Sequence, residues 1–247
     1  MVLSALEKGF VSLGISSHSP EPFDDYGVQD EAAYCREIQR LQEKYRDRIE
    51  LLLGLEHEAL APYSEYPYDY QIESCHYLVY GGEAASVDNT EAITRQVIDR
   101  YCGGDPYRFC RDYFRVCAEA YQHTPAVIAG HLDLVTKFNE DGHLFDEEDP
   151  RYLGPAMEAL ETAVKKDLVL EVNTGAMARG YRTTPYPGKT LLKRILELGG
   201  RLMLNSDCHN APQLGWKFDE TEEYLKSFGV SSLWVLRKSG WTEVPLR

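Results

Sequence analysis

Six apolar segments of the chain end in, or carry, side chains that bind divalent metals. Residues 11–16 lead to His18, residues 49–55 to Glu56 with His57 beside it, and residues 70–75 to His76. Residues 126–130 lead to His131, and residues 201–206 to Asp207 and His209. Residues 168–173 carry Glu171 and end at Asn173. One histidine after one apolar segment is more often a hydrogen-bonded structural residue. The same placement after five segments points to a shared site. Imidazole nitrogen and carboxylate oxygen suit Zn, Fe or Mn. Gathered on one sheet edge, such ligands would form a multinuclear hydrolytic metal site. His123 and His143 fall outside the pattern and read as surface residues.

Ligands so far apart in sequence need a scaffold that converges strand ends. The six apolar segments read as strands, separated by stretches with helical character. Residues 3–8, 30–47, 91–101, 107–121, 152–166, 188–198 and 218–228 read as helices. The breaker Gly103-Gly104-Asp105-Pro106 separates two of them, and Gly199-Gly200 stops another. Alternating strands and helices predict parallel β/α units, closed as a barrel or left as an open doubly wound sheet. In a parallel barrel the loops after the strands converge at the catalytic face. No Gly-x-Gly-x-x-Gly follows the first strand, so a dinucleotide fold has no positive support. Residues 146–149, all acidic, read as a solvated loop or helix start, and residues 233–245 as an irregular tail.

Composition narrows the function. The chain has 247 residues, 43% hydrophobic and 27% charged, which is ample for one folded domain and excludes a disordered chain. No apolar run approaches the roughly 18–20 residues of a membrane span. No secretory signal is visible, and the six scattered cysteines read as reduced thiols, so the expected location is the cytoplasm. Net charge is −14, from 26 Lys and Arg against 40 Asp and Glu, which disfavours a nucleic-acid partner. A small phosphate clamp inside a pocket is compatible with that balance. Arg179 and Arg182, after the fifth strand, suit bidentate phosphate recognition, and Lys137, after the fourth, could add a point charge.

The ordered motifs Gly14-Ile-Ser-Ser-His-Ser-Pro20, Leu53-Gly-Leu-Glu56, Glu73-Ser-Cys-His76, Gly130-His-Leu-Asp-Leu134 and Ser206-Asp-Cys-His209 resemble those of the PHP family. Leu134-Val-Thr-Lys-Phe138 and Ala178-Arg-Gly-Tyr-Arg-Thr-Thr-Pro-Tyr-Pro187 resemble its histidinol-phosphate phosphatase subgroup. The resemblance covers nearly the whole chain. It implies an α/β fold, a distorted (β/α)7 TIM-like barrel of the PHP type, as a single domain over residues 1–247. It implies a metal-dependent phosphomonoesterase that hydrolyses L-histidinol phosphate to L-histidinol and phosphate in histidine biosynthesis. Family members open with a strand carrying His-x-His and then another His. This chain starts at what resembles the first helix, so the expectation is a barrel whose first strand is missing.

The metal ligands implied are His18, Glu56, His76, His131, Asp207 and His209, six of nine family positions. One metal position keeps Glu56, His76 and His131. A second would use Glu56 and Asp207, and a third His18 and His209. A complete member holds up to three ions, and fewer are expected here. Ser17 stands where the family has Asp. Glu56, Asp207 and His209 are the expected catalytic residues, and Lys137, Arg179 and Arg182 the expected contacts of a small phosphorylated substrate. No covalent Ser or Cys nucleophile is needed. Two other readings stay open: a PHP phosphoesterase acting on nucleotides or short nucleic acid, and a catalytically impaired remnant that binds a metal or phosphate. Oligomeric state is not legible.

Overall fold

The computed structural model describes residues 1–246. A short helix α1 (Val2–Glu7) precedes strand β1 (Ser12–His18), helix α2 (Glu31–Tyr45) and strand β2 (Glu50–Glu58). Strand β3 (Tyr70–Ser74) runs into a hairpin of β4 (Tyr77–Tyr80) and β5 (Glu83–Ser86). Helices α3 (Glu91–Cys102) and α4 (Pro106–His123) lead to the two-residue strand β6 (Ile128–Ala129). Helix α5 (Pro150–Lys165), strand β7 (Val169–Asn173), the single turn α6 (Gly175–Ala178), helix α7 (Lys189–Glu197) and strand β8 (Arg201–Asn205) follow. Helix α8 (Phe218–Lys226) and a hairpin of β9 (Ser232–Arg237) and β10 (Gly240–Pro245) end the described chain.

Local chemistry sets the helix starts. Asp30 and Thr90 accept hydrogen bonds from the backbone N–H three residues on. Asp105 and Asp149 cap α4 and α5, each followed by Pro at the first helical position. The acidic run 146–149 is thus a helix start, and its other members are engaged too. Glu147 pairs with Arg182 at 3.0 Å, and Glu148 accepts the Thr190 hydroxyl at 2.7 Å.

Six parallel strands form one sheet in the order β1-β2-β3-β6-β7-β8. The first and last are not paired, yet the rings of His18 on β1 and His209 beyond β8 lie 6.1 Å apart. The sheet therefore curls into a parallel half-barrel. Its outer face carries Leu170, Val172 and Leu202 against α4, α5 and α7 in the main core. Its inner face carries Leu52, Tyr70, Ile72, Ile128, Val169 and Met203, packed against Trp234, Leu236 and Trp241.

Two features correct the sequence reading. The irregular tail expected over 233–245 is the β9–β10 hairpin, and its tryptophans cover the half-barrel's end opposite the site. The hairpin β4–β5 was not foreseen, because it sits within a short stretch of weak apolar alternation between two stronger elements.

Inside the half-barrel, the Tyr70 ring lies across β1 and β2. A Cβ on Gly14 or Gly54 would come within 2.3 or 2.2 Å of that side chain. Both glycines are required by this close approach.

Candidate metal centre

Side chains two apart on a strand share a face. Glu56 and Glu58 therefore both turn inward at the end of β2, while His57 turns outward. The β1–β2 register sets His18 directly opposite Glu56. His76 and His131 follow β3 and β6, the next strands round the sheet.

Three imidazoles converge on the Glu56 carboxylate, which is 9% exposed. His131 Nε2 donates to Oε1 at 3.1 Å, His76 Nε2 stands 3.5 Å from the same oxygen, and His18 Nε2 stands 3.8 Å from Oε2. The His18–His76 and His76–His131 ring centroids are 4.9 and 5.0 Å apart, edge to face. One atom each of His18, Glu56 and His76 lie within 4.8 Å of one another. Only the shortest of these separations is a hydrogen bond. Two ligands of one tetrahedral zinc, each at about 2.1 Å, stand about 3.4 Å apart. The donor types and spacings fit such an ion.

The electrostatics agree. Burial alone would raise the Glu56 pKa, but His18, His131 and His76 hold its carboxyl well below the usual range. Burial would lower the His76 pKa, but the Glu58 hydrogen bond and the charges of Glu56 and Asp88 push it up to about 10. His131 is raised the same way against burial, chiefly by its bond to Glu56. His18 is lowered, because burial outweighs Glu56. The pocket's carboxylates thus call for positive charge, from protons or a cation.

Glu58 and Asp88 escaped the sequence reading, and Glu171, which it named, takes a supporting role. Glu58 accepts the backbone N–H of His76 at 2.8 Å and faces its Nδ1 at 3.2 Å. That contact orients Nε2 towards Glu56, as carboxylates do for metal-bound histidines. Glu171 accepts the backbone N–H of His131 and the side-chain amides of Asn173 and Asn205, at 2.8, 2.9 and 2.8 Å. Asp88, just beyond β5, accepts from Lys137 Nζ at 2.9 Å, and His76 and Lys137 help hold its carboxyl low against burial. Glu58 could have been found from its two-residue offset to Glu56. Asp88 carried no signal. His57 belongs to the outer face, where Nδ1 faces Glu73 at 3.1 Å.

The remaining expected site residues divide. Arg179 Nη2 donates to Asp207 Oδ2 at 2.9 Å, and Nη1 lies 3.1 Å from both the Asp207 carbonyl and His209 Nδ1. Arg179, Asp207 and His209 are thus locked together, with His209 beside His18. Asp207 has a left-handed backbone, φ 43°. A Cβ on Gly175 would lie 2.5 Å from the Asp207 carboxylate, so the turn after β7 needs glycine. Lys137 is buried and held by the Asp88 carboxylate and carbonyl. Arg182 points away from this cluster. It is buried against Glu140 at 3.2 Å, Glu147 at 3.0 Å and the Thr136 carbonyl at 2.9 Å.

No protein-family model matches the chain. It is 26% identical over 262 residues to a probable histidinol-phosphatase of Schizosaccharomyces pombe, covering 96% of this chain and 83% of that one. It is 29% identical over 239 residues to a probable histidinol-phosphatase of Deinococcus radiodurans, covering 92% and 85%. It is 24% identical over 241 residues to the histidinol-phosphatase of Bacillus subtilis, covering 87% and 88%. Among solved structures it is similar to HisK of Listeria monocytogenes, with TM-score 0.76 and 19% identity over 89% of this chain and 92% of that one. It is also similar to histidinol phosphate phosphatase of Lactococcus lactis, solved with Zn, L-histidinol and phosphate. There the TM-score is 0.70 and the identity 21%, over 98% and 90%. These structural likenesses carry the fold.

Proposed function

We infer that the chain is a metal-dependent histidinol-phosphatase, a phosphoric monoester hydrolase that converts L-histidinol phosphate to L-histidinol and phosphate. The observation that carries this reading is the convergence of His18, His76 and His131 on Glu56, beside Arg179. The near full-length likeness to curated histidinol-phosphatases supports it, and so does the Lactococcus relative's complex with Zn, L-histidinol and phosphate.

Glu56, His18, His76 and His131 would hold zinc or a similar divalent ion, with Asp207 and His209 beside them. When bound there, the metal supplies Lewis acidity towards a phosphate oxygen and activates water near neutral pH. The chain's own residues position that chemistry. Glu58 and Glu171 fix His76 and the His131 backbone. Asp207 and His209 hold the Arg179 guanidinium rigid at the rim, where it can meet the phosphate. Arg182 buttresses the loop after β7 through Glu140 and Glu147, so its contribution to phosphate binding runs through Arg179's placement. Lys137, tied to Asp88, sets the charge of the pocket wall.

The same reading makes residues 1–247 one PHP-type domain, with a barrel of the seven-unit kind, working in the cytoplasm on a small phosphorylated substrate. No described helix is long and apolar enough to cross a membrane. The test is phosphate release by the zinc-loaded chain from L-histidinol phosphate and from a panel of nucleoside monophosphates. Preferential release from L-histidinol phosphate is expected. Faster hydrolysis of nucleotides would replace the substrate assignment, and no release from any monoester would overturn the enzyme assignment.

A further inference from the structure

The loop joining β1 to α2 roofs the Glu56 cluster. It is fastened at its root. Ser19 N–H donates to the Glu56 carbonyl at 2.7 Å, and its hydroxyl accepts the Glu58 N–H at 3.0 Å. The returning arm is fastened too, by Val28 N–H to the His18 carbonyl at 2.9 Å. Gly27 passes so close that a Cβ there would stand 2.1 Å from the Ser19 carbonyl oxygen. At the tip, Asp24 accepts the Tyr26 N–H at 2.7 Å and also the Tyr77 hydroxyl. The Phe23 and Tyr77 rings lie 5.0 Å apart. Tyr77 directly follows His76, so the loop is braced against β1, β2 and the start of β4.

This bracing holds Tyr26 at the mouth of the site. Its ring meets His18 edge-on at 5.1 Å, yet the residue is 64% exposed. Its hydroxyl has no hydrogen-bond partner among the described residues. Partial burial raises its pKa. Arg179 opposes that rise, while Asp207, Glu56 and Asp88 add to it. The ring stands over His18, whose own ring lies 6.1 Å from that of His209, the partner of Arg179. The phenol is a donor there with nothing to donate to.

A phosphate monoester at this site meets a wall rich in carboxylates and needs fixed donors. Arg179 is partly engaged, because Nη1 already serves Asp207 and His209 and Nη2 serves Asp207, which leaves Nε and one Nη2 hydrogen. We propose that Tyr26 completes the phosphate site together with Arg179, donating its phenolic hydrogen bond to an oxygen of the substrate's phosphate group. This inference rests on the phosphatase reading and adds a residue to it.

Tyr26→Phe keeps the ring on His18 and removes only the hydroxyl. With the full chain loaded with zinc, calorimetric titration with inorganic phosphate reads the contact directly. The expected result is about tenfold weaker phosphate binding in the variant, the size of one hydrogen bond to a charged group. KM for L-histidinol phosphate should rise by a similar factor with kcat within about twofold, as for an interaction present in ground and transition states alike. Binding of L-histidinol alone and zinc content should match the parent. Equal phosphate affinity in parent and Tyr26→Phe overturns the proposal while leaving the phosphatase reading intact. So does a loss confined to kcat. A parent chain that neither binds phosphate nor releases it from any monoester overturns both.

Discussion

The two ends of the half-barrel interior are built from the same strands and differ in almost everything else. Along β2 the inward positions run Leu52, Gly54, Glu56, Glu58. Along β7 they run Val169, Glu171, Asn173, and along β8 Arg201, Met203, Asn205. One end is apolar and is plugged by Trp234, Leu236 and Trp241, with the Arg201 guanidinium over the Trp234 ring at 5.2 Å. The other end buries Glu56, Glu58, Glu171, His76 and His131. Burying apolar surface stabilises the fold, at roughly 25 cal/mol per Å². Burying carboxylates and imidazoles costs free energy unless each is paired. Two to four residues of strand thus separate a region that holds the molecule together from one tolerated for its chemistry. Substitutions at the two ends should therefore fail in different assays.

The largest effect should come from Glu56→Gln. It keeps shape but removes the charge that three imidazoles share. Zinc-loaded turnover should fall on the order of 10³-fold. A variant retaining near-parent turnover would break the assignment of that end. Glu58→Gln should cost about 10- to 100-fold in zinc affinity or activity, because it loosens His76 from behind. Competition with a calibrated chelator reads this.

The third test uses pH. Asp133, fully buried behind the site, has a pKa raised to about 6, chiefly by burial and further by Glu147, against the Gly188 N–H. The folded state then binds the proton more tightly than the unfolded chain does. Stability from this group is present below about pH 4, is lost as pH rises towards about 6, and is flat above. Asp133→Asn should remove about 2 kcal/mol of that decline. Denaturant unfolding of both proteins at pH 4.5 and 7 checks it, and parallel profiles would contradict it. The smallest effect belongs to the apolar end. Trp234→Ala, at a half-buried position, should lower stability by about 1–2 kcal/mol with kcat and KM unchanged. Loss of turnover at full stability would erase the contrast between the two ends.

Much of this was legible beforehand because it repeats. Strand after strand ended in a ligand-type residue, so the six-stranded parallel sheet and the convergence of His18, Glu56, His76 and His131 could be anticipated from order alone. What was hidden depends on where a side chain points, which strand order does not reveal. Arg182 lies three residues from Arg179, yet one turns into Glu140 and Glu147 and the other towards Asp207. Asp88 reaches the site only because the hairpin of β4 and β5 folds back, and it meets Lys137 across 49 positions of sequence. The closing hairpin was overlooked for a related reason. Leu233, Trp234, Val235 and Leu236 are all apolar, so no alternation marked them as a strand, and only the barrel interior gives Trp234 and Trp241 somewhere to go.

Tyr70 and the two glycines beneath it constrain the protein's lineage as well as its fold. A ring that occupies the space of two absent side chains makes those three positions a single unit of inheritance. Alanine at Gly14 or Gly54 would be rejected while Tyr70 remains, and a smaller residue at 70 would leave a void that the glycines cannot fill. Related chains should therefore keep glycine, glycine and tyrosine together or exchange all three. A lineage that drifts at residue 70 should show larger side chains on β1 and β2 in the same steps.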